Sequence, residues 1–277
     1  MALEISTGLA HATLFLQGAH LASWQPVGEA PNLFLSSRSP FAEGRPIRGG
    51  VPVIFPWFGA HANDSAAPAH GLARTAIWEL EALDVQPDQT VTVVLRMELP
   101  EKTSAWWQNA CTVRHRLSIG ADLVLALEVE NRSEGTFVFE EALHTYFAVS
   151  DVRHTSVHGL AGAEFLDKTQ GFQRCRHEAD PLTFSGETDR IFVNTTASCS
   201  LDDPGLHRRI RVEKSGSAST VVWNPWAARA LALSDLGPDQ WPAMLCIESG
   251  NIGENAVRLA PGETHVMEVR VSVEKLR

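Results

Sequence analysis

Residues 112–131 read TVRHRLSIGADLVLALEVEN and contain two stretches in which apolar and polar residues alternate. One face of the first stretch is formed by Val113, His115, Leu117 and Ile119. The second stretch, 123–131, repeats this alternation after the turn-like Gly-Ala-Asp at 120–122. A period of two is typical of a half-buried strand, and a short turn between two such strands predicts an antiparallel hairpin.

The same alternation occurs on both sides of this hairpin, in 91–99, 137–147 and 266–273. We find no long amphipathic helical pattern, internal repeat or Gly/Ser-rich linker. A chain of 277 residues is long enough for one large all-β domain with a substantial core. The sequence therefore predicts an all-β fold, a large antiparallel β-sandwich, as a single domain over residues 1–277.

Composition and charge exclude several classes of protein. Apolar residues make up 44% of the chain, and the formal net charge of −10 disfavours binding to nucleic acid or to an acidic membrane. The four cysteines form no CxxC pair, and neither a signal peptide nor a run of 18 apolar residues is evident. We expect a cytoplasmic protein, a monomer or weak dimer, that binds a small molecule.

The stretch 137-FVFEEALHTYFAV-149 holds His144 and Tyr146, the only tyrosine of the chain. In a regular strand, Phe139 and Leu143 face the core, while His144 and Tyr146 lie on the opposite face. A bulge near 140–141 would exchange the two faces. His144 is thus either a functional group or a hydrogen-bonded structural histidine.

A second ionisable group interrupts an apolar stretch, Glu248 in 243-AMLCIESG-250. Burying a carboxylate is costly unless it is paired or functional. The alternative is a glutamate at a strand end that meets solvent. If His144 and Glu248 approach each other, they supply a complementary acid and base.

Two further segments, 47–78 and 220–250, are rich in glycine, proline and aromatic residues and break the strand pattern. Arg48 precedes Gly49-Gly50, and 70-HGLAR-74 contains His70 and Arg74. Guanidinium groups bind phosphate through two parallel hydrogen bonds, although both arginines could instead form ordinary salt bridges.

Asp189, in 186-GETDRIF-192, could accept hydrogen bonds from sugar hydroxyls, cap a turn or pair with Arg190. The chain lacks HxH, HExxH, GxSxG, P-loop and GxGxxG patterns. We therefore expect no metal and no organic cofactor.

Several motifs together resemble one family. IRGGVPVIFPWFG, HGLAR, ALHTYF, GETDRIF, WNPW and CIESG occur in the order found in the D-hexose-6-phosphate mutarotases, or glucose-6-phosphate 1-epimerases, of the galactose-mutarotase-like superfamily. The resemblance covers residues from about 10 to 273. It implies a β-sandwich isomerase that interconverts the α and β anomers of a hexose 6-phosphate.

The resemblance also implies roles for single residues. His144 is similar to the family's general acid and Glu248 to its general base, while the implied substrate-binding residues are Arg48, Arg74 and Asp189. We add His70, which lies in the same HGLAR motif. The chain departs from the family at Ala69, where glutamine is common, and at Ser249, where proline is common.

We expect Glu248 to act as a carboxylate that removes the O1 proton and His144 to act as an imidazolium that protonates the ring oxygen O5. A nearby carboxylate should help to keep His144 charged. The alternatives are a sugar-binding module without catalysis and an enzyme that acts on another sugar with the same scaffold.

Overall fold

The computed structural model describes residues 1–276, and nearly all of its regular structure is β-strand. In chain order the strands are β1 Ala2–Ser6, β2 Ala10–Phe15, β3 His20–Pro26, β4 Val53–Ile54, β5 Glu79–Val85, β6 Val91–Leu99, β7 Cys111–Ile119, β8 Leu123–Asn131, β9 Phe137–Phe139, β10 Glu141–Leu143, β11 Tyr146–Ala148, β12 Ser156–His158, β13 Glu164–Asp167, β14 Gln173–Arg176, β15 Leu182–Thr183, β16 Thr188–Val193, β17 Cys199–Asp203, β18 Arg208–Ser215, β19 Ser219–Asn224, β20 Met244–Asn251, β21 Val257–Leu259 and β22 Thr264–Lys275. The α-helix is α1, Trp226–Leu231, and the short 3₁₀ helices are Ala73–Thr75, Val152–His154, Lys168–Gln170, Pro204–Leu206, Trp241–Ala243 and Gly253–Asn255. The prediction of an all-β fold is confirmed.

Two large antiparallel sheets form the sandwich. The nine-stranded sheet has the order β15-β12-β17-β18-β22-β8-β7-β6-β5. The eight-stranded sheet has the order β14-β13-β16-β19-β20-β10-β4, and β11 also pairs with β20. Smaller sheets, β1-β2-β3 and β21-β9, accompany them. One apolar cluster contains buried residues from both large sheets, including Leu117, Leu125, Val222 and Ile247.

The predicted hairpin of residues 112–131 lies inside the nine-stranded sheet and is confirmed. Strands β7 and β8 pair from Cys111 opposite Asn131 to Ile119 opposite Leu123. Its apolar face lies in the core, where Leu117 and Leu125 are opposite each other and fully buried. The alternation therefore predicted both the strands and the face that they bury.

In β10, β19 and β20 the eight-stranded sheet buries side chains on both of its faces. In β20, Leu245 and Ile247 belong to the core between the sheets. Cys246 and Glu248 point to the opposite side, and Trp223 of β19 lies opposite Cys246. We call this opposite side the site face. It carries its own small apolar clusters, so polar residues on it are surrounded by buried neighbours.

The predicted strand over 137–147 is wrong in its continuity but right in its faces. The structure has three short strands there, with β9 pairing with β21, β10 with β4 and β20, and β11 with β20. Leu143 and Phe147 lie in the core, whereas Ala142 and Tyr146 lie on the site face. Where the partner changes, the Glu140 carboxylate accepts the backbone N–H groups of Phe58 and Gly253, 2.7 and 2.6 Å away.

The paired glycines after Arg48 admit neighbouring backbone rather than a ligand. Gly49 and Gly50 have φ values of +115° and +60°. A Cβ atom at Gly50 would lie 2.2 Å from the carbonyl oxygen of Leu21, and one at Gly49 would lie 2.4 Å from that of Phe34. Glycine is required here by the positive φ and by the close packing. The backbone that follows Arg48 is therefore closely packed against neighbouring backbone.

Two buried histidines make the fold sensitive to acid. Burial lowers the pKa of His20 to about 3 and that of His115 to about 4. Between these values and the ordinary histidine pKa, the unfolded chain binds more protons, so the free energy of unfolding falls as pH falls through this window. We expect a loss on the order of a few kcal/mol between about pH 7 and pH 4, measured by urea unfolding.

The variant His115→Gln should make this pH dependence shallower, because its amide does not titrate in that range. As a matched control, Val113→Ala removes buried apolar volume from the same strand. It should lower the free energy of unfolding at every pH without changing the slope. Equal slopes in His115→Gln and the unaltered protein would contradict the prediction.

The core cluster includes residues from many parts of the chain, and its members lie between Ile5 and Val271 in the sequence. One domain over 1–277 stays a prediction. Within residues 1–276, no helix combines the length and the hydropathy needed to cross a membrane.

Candidate active site

His144 and Glu248 meet on the site face because of strand register. Leu143 lies opposite Ser249 and Tyr146 lies opposite Cys246, so the same register places His144 opposite Glu248. The imidazole Nδ1 is 3.3 Å from the Glu248 Oε1. Directly opposed residues of antiparallel strands have neighbouring side chains on one face. Glu248 is only 1% exposed, so the alternative of a solvent-facing strand end is wrong.

Burial sets the protonation of this pair. Burial, together with His70, Arg48 and Arg74, lowers the pKa of His144 well below its ordinary value. Burial also raises the pKa of Glu248 well above its ordinary value. Both shifts run against the expectation of a resting imidazolium and carboxylate. Desolvation disfavours both charged forms, and the nearby arginines also oppose a charge on His144.

Tyr146, to which the sequence assigned no role, links His144 to Arg48. Its ring stacks on the His144 imidazole with centroids 4.7 Å apart and an angle of 8° between the planes. Its hydroxyl oxygen accepts a hydrogen bond from Arg48 Nη1 at 2.8 Å. The other Arg48 nitrogen, Nη2, lies 3.0 Å from the Asp235 carboxylate. Arg48 is thus held on two sides next to the stacked rings.

A cavity of about 260 Å³ opens above the pair. All six residues predicted from the sequence line it, together with others that the sequence did not single out. The lining residues are Arg48, Phe58, Ala69, His70, Arg74, His144, Lys168, Glu187, Asp189, Val221, Trp223, Arg229, Leu233 and Glu248. The structure therefore brings together residues that are 200 positions apart in the chain.

His70 offers a hydrogen-bond donor to this cavity. Its Nδ1 accepts a hydrogen bond from the backbone N–H of Gly59 at 3.2 Å. Burial and the charge of Arg74 lower the pKa of His70 to about 3, so its ring is neutral at ordinary pH. A neutral imidazole that accepts at Nδ1 carries its proton on Nε2. That N–H group is then free to donate to a ligand.

Asp189 has a different partner from the two that the sequence suggested. Its carboxylate lies 2.8 Å from the ammonium group of Lys168, and it neither caps a turn nor pairs with Arg190. Arg190 instead approaches Asp167, at 3.8 Å. Burial raises the pKa of Asp189, while Lys168 opposes that shift.

The cavity has more positive charge than its sequence motifs indicate. Lys168 and Arg229 join the two predicted arginines at its lining. Arg74 and Arg229 have no carboxylate within salt-bridge distance among residues 1–276. The Arg74 guanidinium donates to the backbone carbonyl of Ala69 at 2.6 Å. Two cations of the cavity are thus available for an anionic ligand.

Lys168 and Arg229 were missed for identifiable reasons. Lys168 starts a 3₁₀ helix after β13, and Arg229 lies on the exposed side of α1. Neither residue stands in an unusual local pattern. The one available signal for Arg229 was its nearness to the WNPW motif at 223–226, in which Trp223 lines the cavity.

Ionisation of Tyr146 tests directly whether water is excluded from the floor of the cavity. Burial raises the pKa of Tyr146 well above its ordinary range, and Arg48 opposes this shift only in part. Because Tyr146 is the only tyrosine, phenolate absorbance reports on it alone. We expect no phenolate in the folded protein up to about pH 11, and full absorbance after unfolding in guanidinium at the same pH. Ionisation of the folded protein near pH 10 would contradict this prediction.

The fold is similar to that of several solved proteins. Crystal structures described as galactose mutarotase-like proteins share this large antiparallel sandwich. The crystal structure of galactose 1-epimerase from Lactobacillus acidophilus NCFM superposes with a TM-score of 0.75 at 14% identity, over 100% of this chain and 95% of that one. This similarity supports the fold.

The chain belongs to the aldose 1-epimerase family, and it is an isomerase. The family model for aldose 1-epimerase matches residues 1–272. An Escherichia coli K12 protein named, provisionally, glucose-6-phosphate 1-epimerase is 35% identical over 243 residues, which cover 88% of this chain and 80% of that protein. A Salmonella typhimurium crystal structure, described provisionally as a mutarotase, has a TM-score of 0.92 at 31% identity and covers 99% of this chain and 90% of its own.

Proposed function

We propose that the protein interconverts the α and β anomers of a hexose 6-phosphate, with glucose 6-phosphate as the first candidate substrate. The observation that carries the proposal is the buried His144–Glu248 pair, 3.3 Å apart, beneath a cavity lined by four cationic side chains. The pair supplies an acid and a base for the sugar ring. The cations supply partners for a phosphate.

Anomer exchange needs two proton transfers. Glu248 removes the proton from the O1 hydroxyl, and His144 donates a proton to the ring oxygen O5. The C1–O5 bond breaks, C1 becomes an aldehyde carbon, and rotation about C1–C2 presents its other face. Closure reverses the transfers, because neutral His144 takes the O5 proton back and the Glu248 carboxylic acid protonates O1.

The directions of the two pKa shifts favour the form in which both side chains are neutral and the one proton of the pair is on Glu248, because desolvation disfavours separated charges. This neutral form is the one that accompanies the open-chain aldehyde in the cycle. Ring opening needs the other form, in which His144 is an imidazolium. A bound substrate therefore has to raise the pKa of His144.

A bound phosphate raises the pKa of His144. The charges of Arg48 and Arg74 contribute to the lowered pKa of His144. A phosphate dianion bound to Arg74 and lying near Arg48 offsets their charge, so the imidazolium becomes more favourable once the substrate is in place. Phosphate binding thus favours the protonated form of His144 and also holds the substrate. It therefore increases kcat as well as lowering KM.

The remaining predicted residues position the sugar. The His70 Nε2–H group donates to the O1 or carbonyl oxygen, and Asp189 with Lys168 accepts and donates at the ring hydroxyls. Ala69, where the family resemblance implies a glutamine, offers no polar side chain, so one polar contact to the substrate is missing there. The assignment of these roles is part of the proposal.

The direct test is anomer exchange measured by NMR on four sugars: glucose 6-phosphate, galactose 6-phosphate, glucose and galactose. We expect exchange above the spontaneous rate for a phosphorylated hexose and much slower exchange for both free sugars. Equal rates with and without protein on all four sugars would overturn the enzyme assignment and favour a binding module. Equal acceleration of free and phosphorylated sugars would overturn the phosphate clamp alone.

A second experiment isolates the effect of the phosphate on the acid. Inorganic phosphite occupies the anion site without being attached to a sugar. We expect added phosphite to increase the protein-catalysed exchange of free glucose several-fold. The exchange measured with the Glu248→Gln variant at the same phosphite concentration is the blank, because phosphite itself can catalyse proton transfer. No increase above this blank would show that the phosphate contributes only to binding.

A further inference from the structure

A third side chain, Cys246, lies close to His144 and Glu248 and completes a potential metal site. The ligand atoms of His144, Cys246 and Glu248 all lie within 4.8 Å of one another. The three residues share the site face, since His144 is opposite Glu248, and Cys246 is two residues before Glu248 in β20. All three side chains are buried, and Cys246 is a free thiol.

Two polar atoms of this cluster lack hydrogen-bond partners. His144 Nδ1 and Glu248 Oε2 are buried and unpaired, although Nδ1 lies 3.3 Å from the other oxygen of Glu248. Unpaired buried polar atoms are uncommon in folded proteins. Here both belong to residues of the same three-residue cluster.

The donor set fits one kind of cation. Zn²⁺ prefers imidazole nitrogen, thiolate sulfur and carboxylate oxygen, with ligand atoms about 3.5 Å apart around a tetrahedron. The present separations reach up to 4.8 Å, so metal binding requires the ligand atoms to move closer together. A thiolate and a carboxylate also cancel both charges of the ion. The neutral complex is compatible with a dry site that has arginines nearby.

We propose that His144, Cys246 and Glu248 bind Zn²⁺ or a similar thiophilic divalent cation, and that the bound ion inhibits the isomerase. A metal ion on these atoms takes the lone pairs that the proposed acid and base need for proton transfer. The fourth coordination position faces the cavity, where it holds water or a sugar oxygen. Inhibition rests on the proposed function, whereas metal binding does not.

Binding is measured first, without reference to activity. Metal-free protein is titrated with Co²⁺, whose thiolate complexes absorb in the near-ultraviolet and whose tetrahedral complexes absorb strongly in the visible. We expect both bands with one equivalent of Co²⁺, and we expect Zn²⁺ to displace them. Mg²⁺ should produce no displacement because it prefers oxygen ligands. Absence of both bands up to about 1 mM Co²⁺ would overturn the proposal.

The variant Cys246→Ser, or Cys246→Ala if the serine variant does not fold, should lose the near-ultraviolet band. It should also weaken Zn²⁺ inhibition of anomer exchange at least about tenfold, with most of the basal activity kept. Cys175→Ser removes the one thiol that is not fully buried and is the matched control. A band that persists in Cys246→Ser and disappears in Cys175→Ser would assign the metal to another site.

The variants His144→Ala and Glu248→Gln should bind Co²⁺ at least about tenfold more weakly, whether or not they are active. This readout separates the two proposals. Weak binding in variants that still catalyse anomer exchange would overturn the catalytic roles and keep the metal site. Unchanged Co²⁺ binding in inactive variants would keep the catalytic roles and overturn the metal site.

Discussion

Replacing Glu248 by glutamine is expected to lower kcat for hexose 6-phosphate anomer exchange by about 10²–10⁴-fold. The amide has the shape of the carboxyl group but cannot accept the O1 proton. Because Glu248 is almost fully buried, the change also removes a group that is costly to ionise. We therefore expect the midpoint of thermal unfolding to stay the same or to rise. NMR exchange and calorimetry on one preparation measure both effects.

The control for this variant is Glu187→Gln, an identical change on the exposed rim of the same cavity. It removes a carboxyl group from the lining of the same cavity but touches neither proposed transfer. We expect kcat to stay within about threefold of that of the unaltered protein. A Glu248→Gln protein that keeps its kcat, or that unfolds at a much lower temperature, would identify Glu248 as a structural residue.

The second large effect is expected for His144→Ala, a loss of about 10²–10⁴-fold in kcat. The variant keeps the Glu248 base but has no group that can protonate O5. It also loses the stacking contact with Tyr146, worth about 0.5–1.5 kcal/mol, so its free energy of unfolding should fall only slightly. Activity is measured by NMR exchange, and stability is measured by urea unfolding.

Chemical rescue separates an acid from a structural ring. The alanine leaves a space at the floor of an open cavity, and added imidazole can occupy it. We expect imidazole to restore part of the activity of His144→Ala and none of that of Glu248→Gln. The rescued rate should rise with the fraction of imidazolium present. A large loss of stability without rescue would contradict the catalytic assignment.

The pH profile of the unaltered enzyme follows from the two shifted pKa values. The pair is active with one proton, so activity falls when it gains a second proton and when it loses the last one. The lowered pKa of His144 moves the acid limb to lower pH, and the raised pKa of Glu248 moves the alkaline limb to higher pH. The result is a broad plateau for kcat/KM, whose two limbs belong to the pair rather than to either residue.

Much of the fold was predictable from local patterns. The alternation in 112–131 identified two strands, their turn and their buried face, because side chains of a strand alternate between its faces whatever its partner is. The same rule placed His144, which lies between β10 and β11, on the correct face. It did not predict the interruption at Glu140, where the side chain bonds the backbone N–H groups of Phe58 and Gly253, which are distant in the sequence.

The candidate site was predictable in its members but not in its electrostatics. The motifs singled out His144, Glu248 and the arginines, all of which line the cavity. A nearby carboxylate suggested a charged His144, whereas burial and surrounding cations favour the neutral ring. The desolvation of a group depends on everything that packs around it, so its effect on the pKa cannot be predicted from a local stretch of sequence.

The sequence by itself determined the strand pattern, the buried faces and the residue types available for acid–base chemistry, since these depend on side chains a few positions apart. Only the tertiary structure decided that β11 pairs with β20, that His144 lies opposite Glu248 and that Cys246 joins them. It also revealed the contacts of Tyr146 with His144 and Arg48. The physical reason is that register and burial are properties of strands brought together from distant parts of the chain.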